Sequence, residues 1–103
     1  MSVIARWYYT AKFGMKPESV NHLKKWVDKI GSQAGCNSEN TRIITGSIGA
    51  LEGHVEMELT LDSITSLDNF FKKIPGDEHV AWGKQMGEYI TDGSTRWEVF
   101  RVK

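Results

Sequence analysis

Apolar and polar residues alternate along the first part of the chain, from Val3 to Lys12, where β-branched and aromatic side chains are frequent. Alternation of this kind predicts a β-strand, because successive side chains of a strand point to opposite faces of its sheet. Trp7 and Tyr9 fall on one face of this strand, and Arg6 and Tyr8 fall on the other. Both faces therefore carry bulky side chains.

Three more strands are predicted further along the chain. The second runs from Arg42 to about Ile48, and a glycine-containing turn over residues 49 to 53 joins it to a third strand from His54 to Leu61. The last strand spans Thr95 to Val102. The third strand alternates most regularly, and its inward positions are Val55, Met57, Leu59 and Leu61.

Apolar residues recur at helical spacing in the segments between the strands. The first helix begins at Pro17, ends at Gly31 or Gly35, and has the apolar positions Val20, Leu23, Trp26, Val27 and Ile30. This face leaves His22 on the polar side, which predicts a solvated histidine. A second helical segment is capped by Asp62 or Ser63, is broken at Pro75 and Gly76, and has the apolar positions Ile64, Leu67, Phe70, Phe71 and Ile74.

A third helix, from Glu78 to Ile90 with Asp77 as its cap, carries one titratable residue on an otherwise apolar face. At about 100° per residue this face holds His79, Trp82, Gly83, Met86 and Ile90. We therefore expect His79 to point inward. Glycines at 83 and 87 are unfavourable inside a helix, so they predict that another element or a ligand packs closely there.

The resulting order of elements is βαββαβ. This order predicts an α+β protein of the ferredoxin-like class, with a four-stranded antiparallel sheet and the helices on one face. The whole chain, residues 1–103, forms a single domain in this interpretation. The other face of the sheet, with Arg6, Tyr8, His54 and Glu56, is half polar and half aromatic, and we expect it to pair with a second copy in a homodimer.

Composition excludes several classes of function. Thirteen basic and thirteen acidic residues cancel, so nothing favours a nucleic-acid partner. Cys36 is the single cysteine and lies in a polar segment, and His54, Glu56 and Glu58 are too far apart along one strand to chelate an ion together, so no metal is predicted. The chain shows neither a signal peptide nor a membrane span, and we expect a cytoplasmic protein.

The segments TLDSI and EHVAWG, the second placed directly after the Pro75-Gly76 break, resemble the dimeric α/β-barrel superfamily. The nearest branch is the stress-responsive A/B-barrel domain, which includes the plant olivetolic acid cyclase, and the antibiotic-biosynthesis monooxygenases are more distant relatives. In such proteins two sheets form a barrel at the dimer interface, and each subunit has a cavity between sheet and helices. The resemblance covers the topology of nearly the whole chain and rather few identical positions.

The resemblance implies a site around His79, which matches the histidine that acts as acid or base in the cyclase. Residues matching cavity positions are Trp7, Tyr9, Leu23, Trp26, Val55, Met57 and Leu59, and the helical faces add Phe70, Trp82 and Met86. Phe70 stands where the cyclase has its partner tyrosine, and phenylalanine cannot donate a proton. The resemblance implies a hydrophobic aromatic or polyketide-like ligand and, if the protein is an enzyme, a cofactor-independent cyclase or monooxygenase that uses His79 as acid or base.

Two other functions stay open on the sequence alone. In the first, the protein is a non-catalytic dimeric module, structural or ligand-carrying, in which His79 is a packing residue. In the second, His79 binds haem, as a histidine on this helix does in related barrels. The haem alternative is weaker because Arg6, Trp7 and Tyr8 stand where those enzymes have an asparagine. A cavity of a few hundred Å³ reached by His79 would favour ligand binding, and a filled core would contradict it.

Overall fold

A computed structural model describes residues 2–103 of the chain. Its elements are β1 (Val3–Thr10), α1 (Lys16–Trp26), a π-helical turn (Val27–Gly31), α2 (Ser32–Ala34), β2 (Thr41–Thr45), β3 (His54–Leu61), α3 (Ile64–Lys73), α4 (Gly76–Met86) and β4 (Arg96–Arg101). Within residues 2–103, no helix combines the length and the apolar character needed to cross a membrane. The predicted strands and helices are all present.

The four strands form one antiparallel sheet in the order β2-β3-β1-β4. This order places β1 and β3 in the centre, which agrees with their alternating sequence and with the burial of their inward side chains. Ala5, Val55 and Leu59 have no exposed surface, and they pack with residues of the helices in a single core. The ferredoxin-like α+β prediction is confirmed.

Tyr9 shows how β1 and α1 are joined inside this core. Its hydroxyl donates a hydrogen bond to Ser19 Oγ at 3.0 Å, and Ser19 Oγ in turn donates to the carbonyl of Lys16 at 2.8 Å. Burial disfavours the phenolate and raises the pKa of Tyr9 to about 12. Tyr9 is thus a neutral structural residue at physiological pH.

The first helix is longer than α1 alone because it continues through the π-helical turn and α2. Gly35, with φ 114°, ends it in the left-handed conformation that glycine adopts most readily. Gly31 lies where the chain passes closest to the core, since a Cβ there would be 2.8 Å from Trp26 Cζ3 and 2.9 Å from Cys36 Sγ. Only glycine at position 31 leaves room for the Trp26 ring as it is placed.

The helix with His79 differs from its prediction at both ends. It begins at Gly76 rather than Glu78, so Asp77 lies within the first turn and does not cap it, and it ends at Met86 rather than Ile90. The expectation that another element packs closely at Gly83 is wrong, because a Cβ built there meets nothing within 4 Å, and close packing of a ligand there stays a prediction. By contrast, Ser63 caps α3 as predicted and accepts a hydrogen bond from the Ser66 amide.

Candidate functional site

An aromatic cleft opens between the sheet and the helices α1 and α4. We call this site the tryptophan cleft, and the residues that line it are Trp7, Leu23, Trp26, Met57, His79, Trp82 and Trp97. All four tryptophans of the chain are among them. Of these seven lining residues, His79 alone has a readily titratable side chain.

The register of the sheet brings three of these residues into one row. Trp7 pairs with Met57 on one side and with Trp97 on the other, so their side chains stand next to each other on the face that carries the helices. Trp7 also lies 5.2 Å from the Tyr9 ring and 6.0 Å from the Trp82 ring, centroid to centroid. The floor of the cleft is therefore aromatic and is held by the two strand pairings.

The two helices supply the wall. Leu23 and Trp26 are three residues apart on α1, and His79 and Trp82 are three residues apart on α4, so each pair lies on one helical face. The Trp26 and Trp82 rings are 6.1 Å apart. The predicted helical faces are correct for these four residues.

His79 is less enclosed than the sequence suggested. It lines the cleft on the predicted inward face, but the residue as a whole is exposed. One edge of its ring nevertheless contacts the core, because Trp26 Nε1 donates a hydrogen bond to His79 Nδ1 at 3.0 Å. Met86 is the buried residue of α4 and most of this helix is accessible to solvent, which accounts for the exposure of the rest of the ring.

His22, not His79, is the buried histidine. The predicted solvated position is wrong, since His22 is only 7% exposed. Its Nε2 lies 2.9 Å from the Trp82 carbonyl oxygen, to which it donates, and Trp82 Nε1 donates to the His22 carbonyl at 2.8 Å. The two rings are stacked, with centroids 5.0 Å apart and planes 6° from parallel. This reciprocal contact joins α1 to α4 and holds Trp82 at the cleft.

The other predicted ligand contacts lie in the core beside the cleft and do not line it. These residues are Tyr9, Val55, Leu59, Phe70 and Met86, and all are buried. Phe70 supports the site indirectly, because its ring packs edge-on against Trp26 at 6.2 Å. Trp97 lines the cleft although it was not among the predicted site residues, and the sequence signal for it is its alternation with Phe100 along the last strand, which assigns it a face but not a partner.

Charged residues cover the opposite face of the sheet. Glu58 is buried between Arg42, whose Nε donates to it at 2.9 Å, and Arg6, whose Nε lies 3.0 Å away. Glu58 thus forms its salt bridges within one chain. Nearby, a hydrogen bond from Arg96 holds the pKa of the exposed Glu98 carboxyl below its ordinary value.

The tryptophan cleft is small as it stands. Its volume is about 40 Å³, enough for a water molecule or two but well below the few hundred Å³ expected of a preformed ligand cavity. A haem does not fit these residues, because the porphyrin would have to displace the Trp26 and Trp82 rings that fill the space next to His79. Any aromatic ligand must enter by moving side chains at the mouth of the cleft.

Comparison with solved structures establishes the class of the fold. The chain superposes on a NIPSNAP family protein from Agrobacterium tumefaciens with a TM-score of 0.78 and 14% identity over 100% of this chain and 94% of that one. A dimeric ferredoxin-like protein from Bacteroides fragilis superposes with a TM-score of 0.68 and 14% identity, over 98% of this chain and 96% of that one. SnoaB, a cofactor-independent oxygenase from Streptomyces nogalater, superposes with a TM-score of 0.66 and 8% identity, over 99% of this chain and 93% of that one.

These likenesses define a ferredoxin-like α+β domain, which is the fold that the suggested resemblance implies. At identities this low they establish the fold alone. No protein-family model matches the chain, and no curated protein matches it.

Proposed function

We propose that this protein binds a small planar aromatic molecule in the tryptophan cleft, with His79 as the polar contact. The observation that supports this most strongly is the convergence of all four tryptophans and His79 on one opening between sheet and helices. Ligand sites are mostly apolar, with a few polar groups that orient the ligand, and this lining has that composition. Aromatic rings stack favourably on other flat rings, so a planar ligand suits these walls.

Ligand entry in this proposal depends on the side chains at the mouth. Trp97 is 39% exposed and lies on the edge strand β4, where only one neighbouring strand restrains it. Rotation of its ring away from Trp7 would open the cleft without breaking a backbone hydrogen bond of the sheet. The buried partners Leu23 and Trp26 would stay in place as the inner wall.

Catalysis is the further step of the same proposal. A cofactor-independent enzyme of cyclase or oxygenase type would use His79 for proton transfer or hydrogen bonding at a ligand oxygen. SnoaB, which shares the fold, is a cofactor-independent oxygenase. We expect the protein to act in the cytoplasm.

A second function is favoured by the volume of the cleft. With about 40 Å³ of free space, the interior is close to filled, as in a non-catalytic dimeric module whose aromatic residues only pack. In that function His79 is a packing residue, and His79→Phe should be tolerated or even stabilising.

Thermal denaturation distinguishes the two functions. Wild type, His79→Ala and the control Val80→Ala, an exposed residue on the same helix, are melted with phenols, polyketide mimics, flavin and haem. A ligand that binds only the folded state at 100 times its Kd stabilises by about 2.7 kcal/mol, which raises Tm by several degrees. We expect a planar aromatic to give this shift in wild type and Val80→Ala and a much smaller one in His79→Ala. No shift with any compound would contradict ligand binding and favour the packing role.

We also propose that the protein acts as a homodimer that pairs the outer faces of two sheets. Among residues 2–103, the buried side-chain atoms without a hydrogen-bond partner are Arg6 Nε, Glu56 Oε2 and Glu58 Oε2, and all three lie on this face. Arg6 Nε and Glu58 Oε2 attract each other as an ion pair at 3.0 Å but do not meet in hydrogen-bond geometry. The Arg6 side chain beside these atoms is 31% exposed, so the outer nitrogens of its guanidinium can donate charge-assisted hydrogen bonds to acceptors on a second subunit that covers this face.

An exposed aromatic ring on the outer face of the sheet and one dimeric structural neighbour also support this dimer. The ring of Phe100 lies on the same face, is 42% exposed and contacts the Arg6 guanidinium. An aromatic ring that solvent reaches in this way gains from being covered by a second subunit. The structural neighbour from Bacteroides fragilis is dimeric.

Sedimentation analysis of Phe100→Glu tests the dimer. A carboxylate at position 100 would lose its hydration when a second subunit covers it and would add charge beside Glu56 and Glu58, so it should shift the protein from dimer to monomer, with at least a tenfold rise in the dissociation constant if about 1.4 kcal/mol is lost. Phe13→Glu is the matched control, because Phe13 is fully exposed in the loop after β1, away from this face. A monomeric wild type, or equal effects of both variants, would refute the proposed interface.

A further inference from the structure

The hydrogen bond between Trp26 and His79 restricts the chemistry available to the histidine. The indole nitrogen of tryptophan carries a proton and can only donate. His79 Nδ1 lies 3.0 Å from Trp26 Nε1 and must therefore be the acceptor, with its lone pair in the bond. A neutral imidazole has one protonated nitrogen, so the proton of His79 is on Nε2.

The surroundings of Trp26 hold this arrangement in place. Trp26 is 4% exposed, its ring packs edge-on against Phe70, and the close approach of Gly31 leaves its six-membered ring little room to turn. The indole N–H consequently has a fixed direction, and the exposed His79 ring is oriented by it. Rotation of His79 to present Nδ1 to a ligand would leave a largely buried donor without a partner, which is unfavourable.

We infer that Trp26 is a positioning residue that keeps His79 as an Nε2–H hydrogen-bond donor, so that the tryptophan cleft selects planar aromatic ligands with an acceptor oxygen. A ketone, carboxylate or phenolate oxygen accepts from Nε2–H, whereas a hydrocarbon of the same shape does not. This inference rests on the proposed ligand-binding function for its ligand class, but the state of His79 does not depend on any ligand.

The same arrangement assigns His79 a defined chemical role. While Trp26 occupies Nδ1, the nitrogen left for a ligand already bears a proton and cannot remove another. His79 then stabilises negative charge that develops on a ligand oxygen, as an enolate or phenolate forms, by donating a hydrogen bond. General-base action through Nε2 would require the Trp26 hydrogen bond to break first.

Nitrogen NMR of the ligand-free protein tests the positioning role by itself. In ¹⁵N-labelled wild type at a pH where histidines are neutral, we expect a coupling across the hydrogen bond between Trp26 Nε1 and His79 Nδ1, with the proton on Nε2. In Trp26→Phe the coupling disappears and a population with the proton on Nδ1 becomes detectable. In Trp97→Phe, which changes the cleft but leaves this bond intact, the wild-type pattern should persist. A proton on His79 Nδ1 in wild type would overturn the inference.

A matched pair of probes tests the ligand class. 2-Acetylnaphthalene and 2-isopropenylnaphthalene have nearly the same shape, but only the first has an acceptor oxygen. One net hydrogen bond predicts about threefold to tenfold tighter binding of the ketone to wild type and to Val80→Ala, an exposed position outside the cleft. The preference should vanish in His79→Phe. Equal binding of both probes to wild type would overturn the inference while leaving ligand binding in place, and failure of both to bind would contradict the proposed function instead.

Discussion

Replacing His22 with alanine is expected to lower the free energy of unfolding by about 2–4 kcal/mol, as for other large-to-small changes of buried side chains that also break a hydrogen bond. The variant loses the stacking on Trp82 and the hydrogen bond from His22 Nε2 to the Trp82 carbonyl. Because this contact joins α1 to α4, the loss should be visible as a lower denaturation midpoint in urea with an unchanged slope.

His79→Ala is the control for this prediction. His79 is exposed, so water can reach the Trp26 indole N–H once alanine replaces the ring, and we expect the loss of this one hydrogen bond to cost about 1 kcal/mol. The contrast between the two histidines is the result to measure. If His79→Ala were the more damaging change, the assignment of His22 as the structural histidine and His79 as the site histidine would have to be reversed.

Trp26→Ala should have the largest effect of any change at the cleft, about 3–5 kcal/mol, since it removes a whole buried indole. Trp26 packs against Phe70, Trp82 and His79, and little solvent could fill the space that it leaves. Urea denaturation measures the loss directly, and broadened NMR signals in α1 and α4 would show that the wall of the cleft has loosened.

Trp97→Ala provides the comparison within the same cleft. Trp97 is 39% exposed and packs edge-on against Phe71 at 5.2 Å, so its truncation should cost about 1–2 kcal/mol. This ranking follows from an inner wall that belongs to the core and an outer rim that is free to move. Equal losses for the two variants would contradict that division and the proposed route of ligand entry.

The fold was predictable because its signals are local. Alternation in β1 and β3 and helical spacing in α1 and α3 depend only on neighbouring positions, and the order of these elements restricts the topology to few solutions. The ends of α4 were less predictable, since Gly87 gave no clear stop signal and the helix ends just before it. Helix boundaries depend on the balance between weak capping terms and tertiary contacts.

The histidines show where local pattern fails. The predicted buried face of α1 included Val20 and Val27 because they are apolar at helical spacing, and His22 lies on the opposite side of the helix from them. In the structure α4 packs against that other side, and the Trp82 ring and carbonyl bury His22. The spacing of residues within α1 does not encode which side of the helix a distant segment covers.

His79 is more exposed than its position on the apolar face of α4 predicted. Its helical face was predicted correctly, but the spacing of residues within α4 does not encode how much of that face other elements cover. The placement of Trp97 likewise required the register between β1 and β4. Sequence patterns therefore identified the face on which the site lies, and tertiary packing decided which residues line it.

The measurement that tests the central claim most directly is the ¹H–¹⁵N spectrum of the tryptophan indole groups during titration with 2-acetylnaphthalene. The chain has four indole N–H groups, and all of them belong to residues that line the cleft. We predict that their signals move together and saturate, while the backbone amides of the exposed loop at Phe13 stay in place. Indole signals that stay fixed up to the solubility limit of the probe would contradict the claim that the tryptophan cleft is a binding site.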